Sequence, residues 1–536
     1  MPTHAPSSLA ILLHAHLPFV RHPENVDHLE ERWLFDALVD CYLPLLGVLE
    51  RLQRDRVSVR LTLSLSPTLV AMLDDSLLRA RFDKHLAHLE ALGLRELDRA
   101  PRELRPAVVY QLERLAEARA RWSKEHGDVA GAFGAWFSRG VLEPWTTAAT
   151  HALLPGYETT PAAVRAQIAI GLEAHRARFG ALPVGFWLPE CAYFEGLDAE
   201  LVRAGVRVTA LDTHALDLAR PRPAHGPHAP VVTRAGLVVV ARDPAVSEEI
   251  WSREAGLPGH PAYREYHRDI GFERSPDELG AAAGPAGVRV ATGFKHWRVT
   301  GPTDSKQPYD PALARQTALE HARLFVDARA RAAGRLAGAM HVPPLVLAPF
   351  DAELFGHWWH EGPAFLEAVM RELPRVADVL VPSGAAAHVA RVGEAPVVRP
   401  ARSSWGEGGD LRTWCGPDVE WIWGPLQHGV RNVERLVEAH GEAPLASLRG
   451  RTLRQAVREL LLAQASDWPF MIHHRTTAQY GESRLRAHLE RLARLCVALD
   501  GGDARLAAEE RWLADVESRD NLLPALDPSA FSEGSR

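Results

Sequence analysis

A chain of 536 residues, 46% of them apolar, can bury several cores, so two or three domains are expected. The formal charge of -7 comes without an acidic or basic block, which points away from nucleic acid and from anionic membranes. Four widely separated cysteines (Cys41, Cys191, Cys415, Cys496) argue against a disulfide framework or a structural zinc, while 15 tryptophans suit a protein that holds something flat and partly apolar.

The start, MPTHAPSSLAILLHAHLP, lacks basic residues, and its short apolar run reads as a strand rather than a signal peptide. No window reaches transmembrane length, so a cytoplasmic protein is expected. Leu9 to His14 is the first strand; His14 and His16, two apart, point the same way, and Pro18 stops the element. A helix over 31–54 and a second strand from Val57 to about Ser64 follow, the opening of an α/β protein with parallel strands. Leucines at three- and four-residue spacing make 76–130 a helical insertion, longer than one crossover needs. The stretch AFGAWFSRGVLEPWTTAATHALLPGYETTP reads as loop and short elements, and Thr160-Pro161 opens the next helix.

Further strands end in proton-handling residues. Val184 to Leu188, in VGFWLPECAY, is followed by Glu190, with Trp187 just before it. Val206 to Ala215 ends on Asp212 and His214. The run VVTRAGLVVVARDP looks like an antiparallel pair ending on Arg242, and a Gly-punctuated excursion near 250–270 is expected to be a mobile loop over a cleft. A helix over 311–333 leads into PLVLAPFDAELFGHWWHEG, where a buried strand delivers Asp351 and Glu353 on one face before Trp358 and Trp359. Repetition of the pattern favours a barrel of parallel strands, whose catalytic groups gather at the strands' C-terminal ends. The expected domains are 1–75 and 131–395 for the barrel, 76–130 for the insertion, 396–525 for a C-terminal helical domain with a Trp-rich entry, and 526–536 for a flexible tail.

Glu190 and Asp351 each lie just past a strand end with aromatics on both sides. Two opposed carboxyls in an aromatic cleft are the minimum for glycosidic bond cleavage, about 5 to 5.5 Å apart for retention and further for inversion. The tryptophans offer stacking surfaces, and His14, His16 and His214 offer hydrogen bonds to hydroxyls. Two other readings compete. His14, His16, Asp212, His214 and Asp351 suit a metal-dependent hydrolase, and a binding protein without catalysis would use the same aromatics.

HAHLPFVRHPE, GFWLPECAY, PFDAELFGHWWHEG and SSWGEGG, in this order, resemble the α-1,4-glucan branching enzymes of glycoside hydrolase family 57, collinearly from His14 through SDWPF. The resemblance implies an α/β fold: an incomplete (β/α)7 barrel with a helical insertion and a C-terminal all-helical domain. It implies retaining chemistry with no cofactor and no metal, in a monomer using α-1,4-glucan as donor and acceptor to make α-1,6 branches. Glu190 matches the nucleophile and Asp351 the acid/base; His14 and His16 match the subsite of cleavage, and Arg242, Gly259, Trp405, Trp414 and Asp467 match substrate contacts. Trp187, Asp212 and His214 are expected in the same cleft. One departure stands out: an aromatic, usually Tyr, is expected at the tip of the excluding loop, where this chain has Gly256-Leu257-Pro258. A leucine there predicts a larger hydrolytic share and makes an α-amylase or a 4-α-glucanotransferase of the family the alternative.

Overall fold

The first strand, β1 (Ser7–Ala15), is buried along its whole length and sorts its side chains with period two. Leu9, Ile11 and Leu13 enter an outer core under helices, whereas Ala10 and Leu12 enter a separate core inside the barrel. The other strands are β2 (Leu61–Leu65), β3 (Leu142–Thr146), β4 (Gly185–Phe186), β5 (Val208–Leu211), β6 (Val231–Val232), β7 (Val238–Ala241), β8 (Leu345–Asp351) and β9 (Leu380–Pro382). This computed structural model describes residues 5–251, 256–285 and 288–532. The expected mobile loop thus falls partly outside the described residues, at 252–255.

The strand order is β6-β7-β5-β4-β3-β2-β1-β8, with β9 also on β1. Every neighbouring pair is parallel except β6 with β7. The sheet curls until Arg242, just past β7, makes a parallel bridge to Leu347 of β8, and the Asp243 N–H donates to the Leu347 carbonyl at 2.8 Å. Seven parallel strands, β1, β2, β3, β4, β5, β7 and β8, therefore form an incomplete barrel whose last seam is a single bridge. Its interior is filled by Ala10, Leu12, Trp145, Trp187, Val208, Ala210, Val240, Leu345 and Leu347.

Helices cover the outside. Ser76–Arg99 and Arg105–Lys124 pair with each other as the insertion. At the other flank, the outward residues Phe186, Leu211 and Val239 share one core with helices Trp423–His440, Leu448–Ala463, Ala478–Asp500 and Gly502–Arg519. The chain after the last helix is not loose up to Ser532: Leu526 and Phe531 are buried in that same core, where a flexible tail was expected from 526. No described helix is long and apolar enough to cross a membrane.

The stretch expected as loop and short elements contains a helix, Val129–Ser138, and the central strand β3. Glu143 and Pro144 hide that strand from a hydrophobic pattern. Glu143 points into the barrel floor, where it accepts the N–H groups of Ala386 and Ala387, each at 2.9 Å, and Trp145 Nε1 at 2.9 Å. A carboxylate at the start of helix Ala385–Val392 is stabilised by its free N–H groups. The long helix expected over 31–54 is also interrupted, by a π turn at Leu38–Tyr42.

Candidate active site

Strand register aims the polar residues. On β1, Ala10 and Leu12 face inward, so His14 does too; on β8, Leu345 and Leu347 face inward, so Asp351 does. The two are register partners on adjacent strands. The same count from Val208 and Ala210 puts Asp212 inward, and from Val238 and Val240 it puts Arg242 inward. Four strands thus deliver titratable side chains to one mouth of the barrel.

Glu190 arrives differently. After β4, Glu190 and Cys191 adopt left-handed backbone angles, φ 60° and 52°. Such conformations cost non-glycine residues about 1–3 kcal/mol each and persist only where the surroundings enforce them. Here the enforcement comes from Ser403–Trp405: the Tyr193 N–H donates to the Ser403 carbonyl at 2.9 Å, and the Trp405 N–H to the Glu190 carbonyl at 3.0 Å.

The two carboxyls then differ. Glu190 Oε2 accepts from Trp405 Nε1 at 3.0 Å and Oε1 from Ser466 Oγ at 2.8 Å, while His151 Nδ1 stands 3.8 Å from Oε1. Burial raises its pKa, and the Trp405 and Ser466 hydrogen bonds restrain the rise. Asp351 has no side-chain hydrogen-bond donor among the described residues. Burial, then the charges of Glu353 and Glu190, push it well above the usual carboxylate range against the pull of Arg242. Two coupled carboxyls in unequal environments are the arrangement by which one keeps a proton while the other gives it up.

A relay of neutral groups stands behind Glu190. Burial holds the His14 and His151 rings well below the ordinary imidazole range. His14 Nδ1 lies 3.1 Å from Ser64 Oγ, His14 Nε2 lies 2.9 Å from His151 Nε2, and His151 Nδ1 lies 2.8 Å from Ser466 Oγ. Once Ser466 donates to Glu190, one assignment satisfies all of them: Ser64 donates to His14, His14 to His151, and His151 to Ser466. His16 is held separately, with Nδ1 2.9 Å from Ser66 Oγ and Nε2 3.1 Å from an Asp467 oxygen. His151 and Ser466 were not singled out from the sequence. His151 follows a strand that no hydrophobic pattern marked, and Ser466 joins the site only through tertiary packing.

The remaining expected residues divide. Arg242 donates to Asp212 at 3.0 Å and lies 5.9 Å from the Trp405 ring. Burial works against ionisation of Asp212, yet His214 and Arg242 together hold its pKa below the ordinary value. The hydrogen bond to Asp212 raises His214, which also donates to the Gly409 carbonyl at 2.7 Å and so anchors the Trp-rich segment. Trp187 and Trp414 are 0% and 1% exposed and present no free ring face; Trp405 is half-buried, with Trp187 against its ring. Gly259 is exposed, and Leu257 is half-buried against the outer core. Trp359 is core, whereas Trp358 is 54% exposed and stacked on Tyr266 at 4.9 Å. Among the described residues, His16, His151 and Asp467 could together hold a metal ion; Asp212, His214 and Asp351 do not join that group.

Residues 10–302 match the sequence profile of glycosyl hydrolase family 57, and residues 427–531 that of the C-terminal region of 1,4-alpha-glucan branching enzymes. The probable 1,4-alpha-glucan branching enzyme Rv3031 of Mycobacterium tuberculosis is 32% identical over 97% of each chain. Among solved structures, the alpha-amylase AmyC of Thermotoga maritima superposes with a TM-score of 0.90 at 34% identity, covering 99% of this chain and 100% of that one. The GH57-type branching enzyme of Pyrococcus horikoshii gives 0.88 at 28% identity, over 99% and 97%.

Proposed function

The chain belongs to glycosyl hydrolase family 57, and from that premise we propose that it cleaves α-1,4-glucan by retaining double displacement, with Glu190 as nucleophile and Asp351 as acid/base. The observation that carries this reading is the contrast at the barrel mouth: Glu190 is oriented by two donors, and Asp351 has none among the described residues and is pushed toward its protonated form.

In the first step the Asp351 proton passes to the departing O4 as the C1–O4 bond breaks and a Glu190 oxygen bonds to C1. In the second, the Asp351 carboxylate removes a proton from the incoming hydroxyl, whose oxygen displaces Glu190. Trp405 and Ser466 aim the nucleophile, and the partly exposed indole of Trp405 is the aromatic beside it that a pyranose ring could meet. Asp467, partly exposed beside the nucleophile, has carboxylate lone pairs to spare for a sugar hydroxyl, whereas the ring nitrogens of His14 and His16 are already bonded within the protein.

Which hydroxyl attacks decides the product. Water gives hydrolysis; the 6-hydroxyl of a second glucan chain gives an α-1,6 branch. We infer that hydrolysis takes the larger share, with transfer beside it. The full-length likeness to an α-amylase and the aliphatic Leu257, which packs against the outer core, favour this. A second reading, branching as the main outcome, is favoured by the match over 427–531 and by the relatives named branching enzymes. Counting new α-1,6 linkages against released reducing ends on amylose separates the two. Reducing ends in excess support hydrolysis and branches in excess overturn it; if neither forms and the chain-length distribution of the amylose is also unchanged, so that transfer to a 4-hydroxyl is absent as well, the reading as a whole is overturned.

A further inference from the structure

The π turn at Leu38–Tyr42 inserts an extra residue between the α-helical stretches Glu31–Ala37 and Leu43–Arg54. Such bulges spoil helix hydrogen bonding and recur where a side chain has to be aimed. Three consecutive residues of this one grip the segment that follows Asp351. The Asp40 carbonyl lies so close to Gly356 that a Cβ there would stand 1.8 Å from it, and Gly356 has φ 126°. Cys41 Sγ donates to the Ala352 carbonyl at 3.0 Å. Tyr42 donates its hydroxyl hydrogen to Glu353 Oε1. Tyr42 and Glu353 are buried, and neither takes part in the double displacement.

The groups around them are few. Asp351 is faced by Glu353 from its own segment, Glu190 from the end of β4, Arg242 from the end of β7 and Asp467 from helix Asp467–His474. Glu353 is faced by Tyr42 from the π turn and His16 from the end of β1. We propose that Tyr42 and Glu353 are a positioning pair for Asp351: the hydroxyl keeps Glu353 ionised inside the protein, and that fixed charge keeps the proton on Asp351 until the glycosidic oxygen takes it. This rests on Asp351 being the acid/base. It explains why a second carboxyl is kept two residues from the first at the cost of burying it, and why a helix is distorted to bring a phenol to it. Burial raises the Glu353 pKa above the ordinary carboxylate value, and the Tyr42 hydrogen bond limits that rise. Without the hydroxyl Glu353 takes up a proton more readily, its charge on Asp351 fades, and Asp351 loses its own proton at lower pH.

The test compares Tyr42→Phe and Glu353→Gln with the native enzyme on amylose and on an activated aryl α-maltooligoside. The aryl leaving group needs no proton, so kcat/KM, which reports through bond cleavage, bypasses the acid. Expected on amylose is a displacement of the alkaline limb of kcat/KM to lower pH, by about one unit for Glu353→Gln and less for Tyr42→Phe, with aryl cleavage near native. Asp351→Asn serves as the reference and shows the same substrate contrast more strongly. If it shows none, the acid/base assignment of Asp351 has failed. If it does, and either folded variant keeps the native alkaline limb or loses both substrates equally, the positioning pair is overturned. Should Tyr42→Phe not fold, Glu353→Gln alone decides.

Discussion

Among the described residues, a cluster of buried acids and histidines at the barrel mouth can be set beside another among the C-terminal helices. In the second, His488 Nδ1 bonds Glu459 at 2.7 Å, Gln455 donates to Glu459 at 2.8 Å, and Asp520 is met by Arg484 at 3.5 Å and by Arg491. Glu459, His488 and Asp520 could in principle hold a metal, as could His16, His151 and Asp467. Yet Arg458, Arg484 and Arg491 crowd the C-terminal set, whereas Arg242 is the arginine facing Asp351. Burial raises Glu459 and Asp520 as well, but several arginines oppose the rise there, whereas at Asp351 Arg242 alone among the arginines opposes burial and the charges of Glu353 and Glu190. Burial alone does not tell the two apart. The partners do.

The comparison breaks first at Glu190. Glu190→Gln is expected to lower kcat on amylose by at least about 10⁴-fold with the melting temperature nearly unchanged. A comparable loss of stability would make this cluster structural after all. Glu459→Ala should do the reverse: strip about 3–5 kcal/mol from unfolding, read by chemical denaturation, while kcat per folded molecule stays native. Trp405→Phe removes one of the two donors to Glu190, and steady-state kinetics should show kcat/KM down by about 10- to 100-fold, as for a charge-assisted hydrogen bond. Leu257→Tyr should raise the ratio of new α-1,6 linkages to reducing ends, and an unchanged ratio removes that residue from the partition.

The smallest effect is a pH dependence of stability. Asp351 has a folded pKa above its unfolded value, so its unfavourable contribution is absent below the unfolded value near 3.8 and grows as pH rises toward the folded one. Asp351→Asn removes that contribution. Its melting temperature should gain on the native protein as pH rises from 4 toward neutrality, and a constant difference across that range sinks the assignment.

Much of the site was legible because strand alternation is local. His14, Asp212, Arg242 and Asp351 fall inward by a count of two from apolar neighbours, and short motifs marked the strand ends. What escaped was carried by long-range contact. His151 and Ser466 lie 315 residues apart, yet they share one hydrogen bond. β3 was hidden because its inward Glu143 is satisfied by a helix start more than 240 residues later. Trp187 and Trp414 read as sugar platforms in a tryptophan-rich sequence, but packing enclosed both.

By itself, then, the sequence determined the alternation of strands and helices, the family, and the two carboxyls at strand ends, since periodicity and short motifs act within a few residues. The tertiary structure alone decided how those carboxyls differ. Hydrogen-bond donors from Trp405 and Ser466, a countercharge from Arg242 and the grip of Tyr42 on Glu353 come from distant segments, and a carboxyl's proton affinity depends on what lies within a few ångströms rather than on its neighbours in the chain.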